Sequence, residues 1–169
     1  LAQGKLVGLV GGDHSTPYGL VQALGERGDG FGILHIDAHC DLRRAYEGFE
    51  YSHASIMYNV LRDVPQAERI VEVGVRDYCD AEAELARSSE RIRMFDDTQL
   101  SAAAFEGETW GATCRRIGAE LPERVYVSFD IDGLTFEGAN ELAKELLSAE
   151  PSVALVGKGA EKALDDLNI

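Results

Sequence analysis

The sequence has few cysteines, few positive charges and no long apolar run. Its three cysteines, Cys40, Cys79 and Cys114, are odd in number and widely spaced, which argues against a disulfide framework or a zinc ribbon. Sixteen Lys and Arg against 30 Asp and Glu give a formal net charge of −14, which disfavours nucleic acid and anionic membranes as partners. No apolar stretch could span a bilayer, and the first residues lack a secretory pattern. We therefore expect a cytoplasmic protein.

Length and composition favour a single globular domain over residues 1–169. Hydrophobic residues make up 45% of the 169 residues and charged residues 27%, which is ordinary for a folded chain with a real core. The first residue is Leu rather than Met. We therefore expect a processed or incomplete chain.

Short apolar runs alternate with amphipathic segments along the sequence. The predicted strands are Leu6–Val10, Phe31–Asp37, Arg69–Val75, Ile92–Phe95, Arg124–Asp130 and Ser152–Val156. The predicted helices are Pro17–Arg27, Ala54–Arg62, Asp80–Ser89, Thr109–Leu121 and Ala139–Ala149. Strands that are apolar on both faces are typical of a parallel sheet covered by helices, so the pattern predicts an α/β fold. The acidic stretch from Asp80 to Glu90 indicates a solvated helix face.

Polar clusters follow three of the predicted strands, at residues 11–15, 35–41 and 128–133. The carboxyl ends of parallel strands meet at one edge of a sheet, where ligands bind in α/β proteins. Asp37, His39 and Asp41 alternate along the chain, and Asp130 and Asp132 do the same, so an extended backbone sends each set to one side. The six candidate metal ligands are His14, Asp37, His39, Asp41, Asp130 and Asp132.

Four carboxylates in one crevice repel each other unless cations neutralise them. Two divalent ions with an aspartate between them match the number of ligands. Carboxylate and imidazole without thiolate favour Mn²⁺, with Zn²⁺ or Fe²⁺ as alternatives and Mg²⁺ less suited to histidine. A pair of such ions lowers the pKa of a shared water, so the set predicts a hydrolase. We expect His35 to be a hydrogen-bonded core residue and Cys40 to pack away from the ligands.

Residues 11–15 (Gly-Gly-Asp-His-Ser), 37–41 (Asp-Ala-His-Cys-Asp) and 128–132 (Ser-Phe-Asp-Ile-Asp) resemble, in order, the three signatures of the ureohydrolases. That family includes arginase, agmatinase, guanidinobutyrase and formimidoylglutamase, and the loops resemble its agmatinase-like branch. The resemblance implies a three-layer α-β-α fold of the arginase/deacetylase type. It also implies a small guanidino substrate, a place in polyamine metabolism and a homo-oligomer, either a trimer or a hexamer.

The resemblance also assigns roles to the ligands. It implies that His14 and Asp41 hold one of two manganese ions, and that His39 and Asp132 hold the other. The remaining two ligands, which would bridge the ions, are Asp37 and Asp130.

His53, in the segment Tyr51-Ser52-His53-Ala54-Ser55, resembles a histidine that shuttles protons or contacts substrate in the family. Ala54 stands where the family usually has glycine. The resemblance implies that Asp41 or His53 helps to move a proton to the leaving amine, which general acid catalysis requires.

The resemblance is interrupted at two places. Asp132-Gly133-Leu134 continues directly into Thr135, where the family has a long substrate-facing loop, and the segment after Gly157 does not reproduce the family's substrate glutamate. Family members are also longer at the amino terminus. We therefore expect that the loop after Leu134, the segment after Gly157 and an N-terminal part are missing.

The leading hypothesis is Mn²⁺-dependent release of urea from agmatine, with arginine, guanidinobutyrate and formimidoylglutamate as further candidate substrates. A dinuclear phosphoesterase is an alternative, although its usual Gly-Asn-His segment is absent. A further alternative is a non-catalytic protein that binds metal on a ureohydrolase-like core.

Overall fold

The computed structural model describes residues 7–133 as an α/β fold built on four parallel strands. The strands are β1 Phe31–Ile36, β2 Ala67–Val73, β3 Ile92–Phe95 and β4 Val125–Phe129. The helices are α1 Tyr18–Gly25, α2 Ile56–Asp63, α3 Asp80–Ser88, α4 Asp97–Phe105 and α5 Trp110–Gly118. Short 3₁₀ turns lie at His53–Ser55 and Ile131–Gly133. None of the helices in this part of the chain is both long and apolar enough to cross a membrane.

In the strand order β3-β2-β1-β4, the first strand of the sequence, β1, lies in the interior of the sheet. The chain moves outward from β1 to β2 and β3, and then returns to the other side of β1 to form β4. The direction of the strand order therefore reverses at β1, which lies between β2 and β4. Such a switch in strand order opens a crevice that commonly holds the ligand in α/β proteins.

Two apolar clusters cover the two faces of the sheet, so the chain has the expected three layers. One cluster packs α1, α2 and α3 against the sheet, through buried Val21, Ile33, Met57, Val60 and Ile70 and the partly buried Leu85. The other packs α4 and α5 against the opposite face, through buried Val71, Val73, Phe95 and Ile117 and the partly buried Leu100.

Most predicted boundaries lie within two or three residues of the observed ones. The predicted strand Arg69–Val75 is in fact Ala67–Val73, because Gly74 adopts a φ of +88° that ends the extended backbone. The predicted strand Leu6–Val10 is wrong over residues 7–10, which form no strand in the described part of the chain. Their apolar pattern suggested a buried strand, but none of the four described strands pairs with them, and Val10 is 82% exposed.

The helix α4 was not predicted from the sequence, because it has no buried residue and therefore no apolar periodicity. A capping signal was present, however, because the Asp96 side chain accepts a hydrogen bond from the backbone N–H of Gln99 (2.8 Å). The predicted helix Ala139–Ala149 and strand Ser152–Val156 lie outside the described residues.

Candidate metal centre

Backbone pairing at and beyond the strand ends brings the second and third polar clusters together. Ile36 and Phe129 are paired at the ends of β1 and β4, and the next backbone N–H, that of Asp130, donates to the carbonyl of Ile36 (2.9 Å). On the other side, the N–H of Asp37 donates to Val73 (3.2 Å). The two aspartates that follow these strands are therefore held on a rigid frame.

Gly133 allows the segment after β4 to approach the segment after β1 closely. A Cβ atom at position 133 would lie 2.8 Å from the backbone nitrogen of Asp37, which is too close for any side chain. In the same region, Oδ1 of Asp132 accepts a hydrogen bond from the N–H of Ala38 (3.2 Å). The close approach thus lets Asp132 reach the β1 side of the crevice.

His14 lies at the centre of a buried group of carboxylates. Its Nδ1 is 2.8 Å from Oδ2 of Asp37 and 2.9 Å from Oδ2 of Asp41, and it is 3.7 Å from Oδ2 of Asp130. His14, Asp37 and Asp41 are all buried, and potential ligand atoms of these three and His35 lie within 4.8 Å of one another. We call His14, His35, Asp37 and Asp41 the inner cluster.

The inner cluster fits a cation better than it fits a network of hydrogen bonds. Nδ1 of His14 and Oδ2 of Asp41 are close to each other, yet neither atom has a partner with hydrogen-bond geometry among the described residues. Buried polar atoms without partners are unfavourable, whereas lone pairs that converge on one point suit a metal ion. The donors are nitrogen and oxygen, which agrees with the predicted type of ion.

Charge within the inner cluster shifts the pKa values of its members. Burial lowers the pKa of His14, but the carboxylates of Asp37 and Asp41 outweigh burial and raise that pKa to about 10. Burial raises the pKa of Asp37, yet the adjacent imidazoles of His14 and His35 hold that pKa well below its usual range. An ion that binds here must therefore displace a proton from His14.

Neighbouring residues orient the ligands of the inner cluster. Nε2 of His14 forms a hydrogen bond with Oγ of Ser128 (2.8 Å), and Nε2 of His35 lies 3.0 Å from Oδ2 of Asp37. Asp41 has a φ of +52°, and its carbonyl accepts a hydrogen bond from the N–H of Met57 (3.0 Å) in the first turn of α2. Such outer contacts fix the side chains in position before a metal binds.

A second and more open group of ligand atoms shares Asp37 with the first. Nδ1 of His39 is 3.3 Å from Oδ1 of Asp37 and 3.2 Å from Oδ2 of Asp132. The side chains of His39 and Asp132 are 48% and 45% exposed. We call Asp37, His39 and Asp132 the outer cluster. The two oxygens of Asp37 thus face different clusters.

Asp130 lies beside both clusters. Its Oδ1 accepts a hydrogen bond from the backbone N–H of Asp132 (3.2 Å), while its Oδ2 points toward His14. The pKa of Asp132 is raised by partial burial and by the charges of Asp37 and Asp130. This crowding of carboxylates is the repulsion that led us to expect cations.

His53 is exposed and occupies the 3₁₀ turn before α2, edge-on to the ring of Tyr46 with ring centroids 5.4 Å apart. It is not a member of either cluster. Its charge contributes to the lowered pKa of Asp13, although hydrogen bonds from Ser15 contribute more.

Three supporting residues were not identified from the sequence. Ser128 orients His14, and a serine inside an apolar strand was its signal. Glu82 is buried, contrary to the solvated face expected for α3, and it accepts hydrogen bonds from the N–H groups of Leu42 (3.1 Å) and Cys79 (2.9 Å). The third residue, Glu72, is fully buried in β2. Cys40 is buried, as expected for a packing residue.

Comparisons with known proteins show which family this chain resembles. The sequence model of the Arginase family matches residues 1–139. An N(1)-aminopropylagmatine ureohydrolase of Thermus thermophilus is 37% identical over 134 residues, which are 79% of this chain and 42% of that protein. Mitochondrial arginase 1 of Oryza sativa subsp. indica is 33% identical over 127 residues, covering 75% of this chain and 35% of that protein.

A solved structure shows the same fold. The arginase from Medicago truncatula superposes with a TM-score of 0.58 at 33% sequence identity, over 73% of this chain and 37% of that one. The chain thus spans about two fifths of the length of the curated relatives that it matches. On the match to the family model and on these relatives, the chain belongs to the arginase family.

Proposed function

We propose that this chain carries a centre for two metal ions and that it hydrolyses a guanidino C–N bond to release urea. The observation that carries the proposal is the position of Asp37, whose Oδ2 faces His14 and whose Oδ1 faces His39. A carboxylate with one oxygen in each of two ligand clusters is the arrangement that bridges a pair of cations.

The proposed ions are both Mn²⁺, because the clusters supply imidazole and carboxylate but no thiolate. In this proposal His14 and Asp41 hold one ion, and His39 and Asp132 hold the other. When bound, the pair supplies a water of lowered pKa and stabilises the charge that develops during attack on carbon. The two residues proposed to bridge the ions are Asp37 and Asp130.

The proposed substrate is agmatine, with arginine and guanidinobutyrate as the other guanidino candidates. Formimidoylglutamate, which has a formimidoyl group and would release formamide instead of urea, is the alternative outside that class. The Thermus relative is named for N(1)-aminopropylagmatine, which adds a longer cationic substrate to the set. A formal net charge of −14 favours the approach of such cations.

Two residues are proposed to move protons during the reaction. Asp41 is the buried candidate, because its carboxyl group lies within the inner cluster, beside the place where the substrate would react. His53 is exposed in the 3₁₀ turn before α2, where an imidazole can exchange protons with solvent. We propose that one of them delivers a proton to the leaving amine.

The test is urea release by the Mn²⁺-loaded full chain from agmatine, N(1)-aminopropylagmatine, arginine and guanidinobutyrate, with formimidoylglutamate assayed for formamide release. A chelated sample is the negative control. Chelator-sensitive urea release from one compound supports the proposal and identifies the substrate. Tight Mn²⁺ binding without hydrolysis of any of them contradicts the proposal and favours the non-catalytic alternative.

A further inference from the structure

The 3₁₀ turn that carries Asp132 is only weakly held by its own strand. The strand before it, β4, is an edge strand within residues 7–133. Inside the turn, the N–H of Asp132 donates to Oδ1 of Asp130 (3.2 Å), and the N–H of Gly133 donates to the carbonyl of Asp130 (3.1 Å). These two hydrogen bonds are local, so they do not fix the turn relative to the rest of the sheet.

Arg76 contacts this turn from the other side of β1. Its Nη2 donates to the carbonyl of Asp132 (2.5 Å), and its Nη1 donates to the carbonyl of Gly74 (3.3 Å), just after β2. The strands β2 and β4 are both neighbours of β1 and are not neighbours of each other. Adjacent strands lie about 4.8 Å apart, so β2 and β4 are separated by roughly 10 Å. The arginine side chain therefore crosses the end of β1, where Asp37 lies.

The main chain of Arg76 is itself fixed to the segment after β1. Its N–H donates to the carbonyl of Ala38 (2.8 Å), and the N–H of Asp77 donates to the same oxygen (3.0 Å). The N–H of Ala38 in turn donates to Oδ1 of Asp132 (3.2 Å). Arg76, Ala38 and Asp132 thus form a closed ring of hydrogen bonds beside the outer cluster, to which Asp132 belongs.

The acceptors of these bonds indicate that Arg76 acts through position and not through charge. Both guanidinium nitrogens donate to main-chain carbonyls, and not to the carboxylates of either cluster. A planar guanidinium presents its donors in a fixed fork, so it can hold two such acceptors at once. A positive charge close to a cation site would by itself weaken binding of the cation. Its charge therefore does not explain an arginine at this place.

We propose that Arg76 is a positioning residue of the outer cluster, which ties the turn after β4 to the end of β2 and so keeps the carboxylate of Asp132 beside His39. Arg76 does this without touching an ion or a substrate. Its effect on metal affinity rests on the proposed function, whereas its effect on the position of the turn does not.

The test compares Arg76→Met with Arg69→Met in the full chain. Methionine keeps much of the length of the side chain but has neither donors nor charge. Arg69 is the matched control, because its Nη1 donates to the carbonyl of Glu90 (3.0 Å) near the amino end of β2, at the opposite end of that strand. Circular dichroism and thermal melting check that each variant folds.

The first readout needs no metal. Amide hydrogen exchange of the metal-free chain, followed by NMR, reports on the N–H of Ala38, which donates to Asp132. In Arg76→Met we expect this N–H to exchange about tenfold faster than in wild type, because Asp132 loses its second contact. The N–H of Asp37, which donates to Val73, should keep its wild-type rate.

The second readout is titration of each variant with Mn²⁺. In Arg76→Met we expect the affinity of the outer ion to fall by about tenfold and that of the inner ion to stay unchanged, as for loss of an outer partner of one ligand. Loss of a positive charge alone would change the affinity in the opposite direction. Arg69→Met should behave like wild type in both measurements.

The proposal is overturned if Ala38 keeps its exchange rate in Arg76→Met, or if Ala38 and Asp37 accelerate equally, which would show general loosening. An outer affinity that is unchanged or increased in Arg76→Met also overturns it, as does an equal effect of Arg69→Met. If Ala38 responds as expected but wild type takes up no Mn²⁺ or releases no urea, only the proposed function fails.

Discussion

The two halves of the candidate metal centre differ in burial and in support. The inner cluster is buried, and partners outside the ligand set orient its side chains, as Ser128 does for His14. The outer cluster has two ligands that are nearly half exposed, and Asp37 is its one buried member. The inner cluster is therefore organised before any ligand arrives, while the outer cluster remains accessible to solvent and substrate.

Part of this difference follows from the position of Asp132 in the sheet. The inner ligands are held against the middle of the sheet, where β1 is paired on both sides. Asp132 instead lies in a 3₁₀ turn after β4, which is an edge strand within residues 7–133. A rigid frame with one open side is typical of sites that must admit a substrate.

The largest expected effect comes from removing the residue that the two halves share. Asp37→Ala should abolish binding of both ions, since each cluster loses a ligand. Because metal ions contribute several kcal/mol to catalysis, we expect urea release to fall by about a thousand-fold or more. Metal analysis and a urea assay check this result, and a variant that keeps two ions would contradict the shared role.

Removing one histidine from each cluster distinguishes the two clusters by their effect on Mn²⁺ affinity. His14→Ala should weaken the inner ion strongly, because it leaves two buried carboxylates, Asp37 and Asp41, facing each other. His39→Ala removes an exposed ligand and should weaken binding of the outer ion only. We expect this loss of affinity to be roughly tenfold smaller than the loss that His14→Ala causes at the inner ion. Isothermal titration with Mn²⁺ measures both, and equal losses of affinity in the two variants would show that the halves do not differ.

The approach of the two halves depends on Gly133. In Gly133→Ala the new methyl group must push the turn away from the backbone of Asp37, so we expect a loss of about 1–3 kcal/mol in stability. The outer ion should also bind more weakly, as Asp132 moves. Gly19→Ala is the matched control, because a Cβ atom there meets nothing within 4 Å. An unchanged outer affinity in Gly133→Ala would contradict this explanation.

The smallest effect concerns the stability of the metal-free chain as a function of pH. Burial and the nearby charge of Asp41 raise the pKa of Glu72 well above its usual range. Below the ordinary pKa of 4.5, Glu72 is protonated in both folded and unfolded states and contributes nothing. Above it, the unfolded chain releases the proton while the folded chain retains it, so Glu72 destabilises the fold. Glu72→Gln should therefore be more stable than wild type at pH 7, with little difference at pH 4.

Urea denaturation at the two pH values measures this difference, and the titration of other groups cancels between the two proteins. An advantage of Glu72→Gln that is equally large at pH 4 would show that the carboxyl is not the cause.

Much of the fold was predictable because the apolar runs of β1, β2 and β3 are short, buried and separated by clear helical segments. A strand was wrongly predicted at residues 7–10, because an apolar run alone does not show whether a neighbouring strand will pair with it. The helix α4 was missed for the opposite reason, because it buries no residue and its only sequence signal was the cap at Asp96.

The ligands were predictable because their alternate spacing follows strand ends, as in Asp37 and His39. Two facts could not be deduced from the spacing of residues in the sequence. One is that Asp37 is the carboxylate that lies between the two clusters, and the other is that Glu72 pairs with His35 in the register of the sheet. The second fact depends on the register of β1 and β2, which connects residues 37 positions apart in the chain.

The most direct test of the account is a titration of the metal-free chain with Mn²⁺, followed by electron paramagnetic resonance. We predict two ions per chain, the first bound more tightly than the second, and a spectrum in which the two ions are magnetically coupled through a shared carboxylate. A single ion per chain, or two equal and uncoupled ions, would contradict the central claim that Asp37 joins a buried and an open half of one centre.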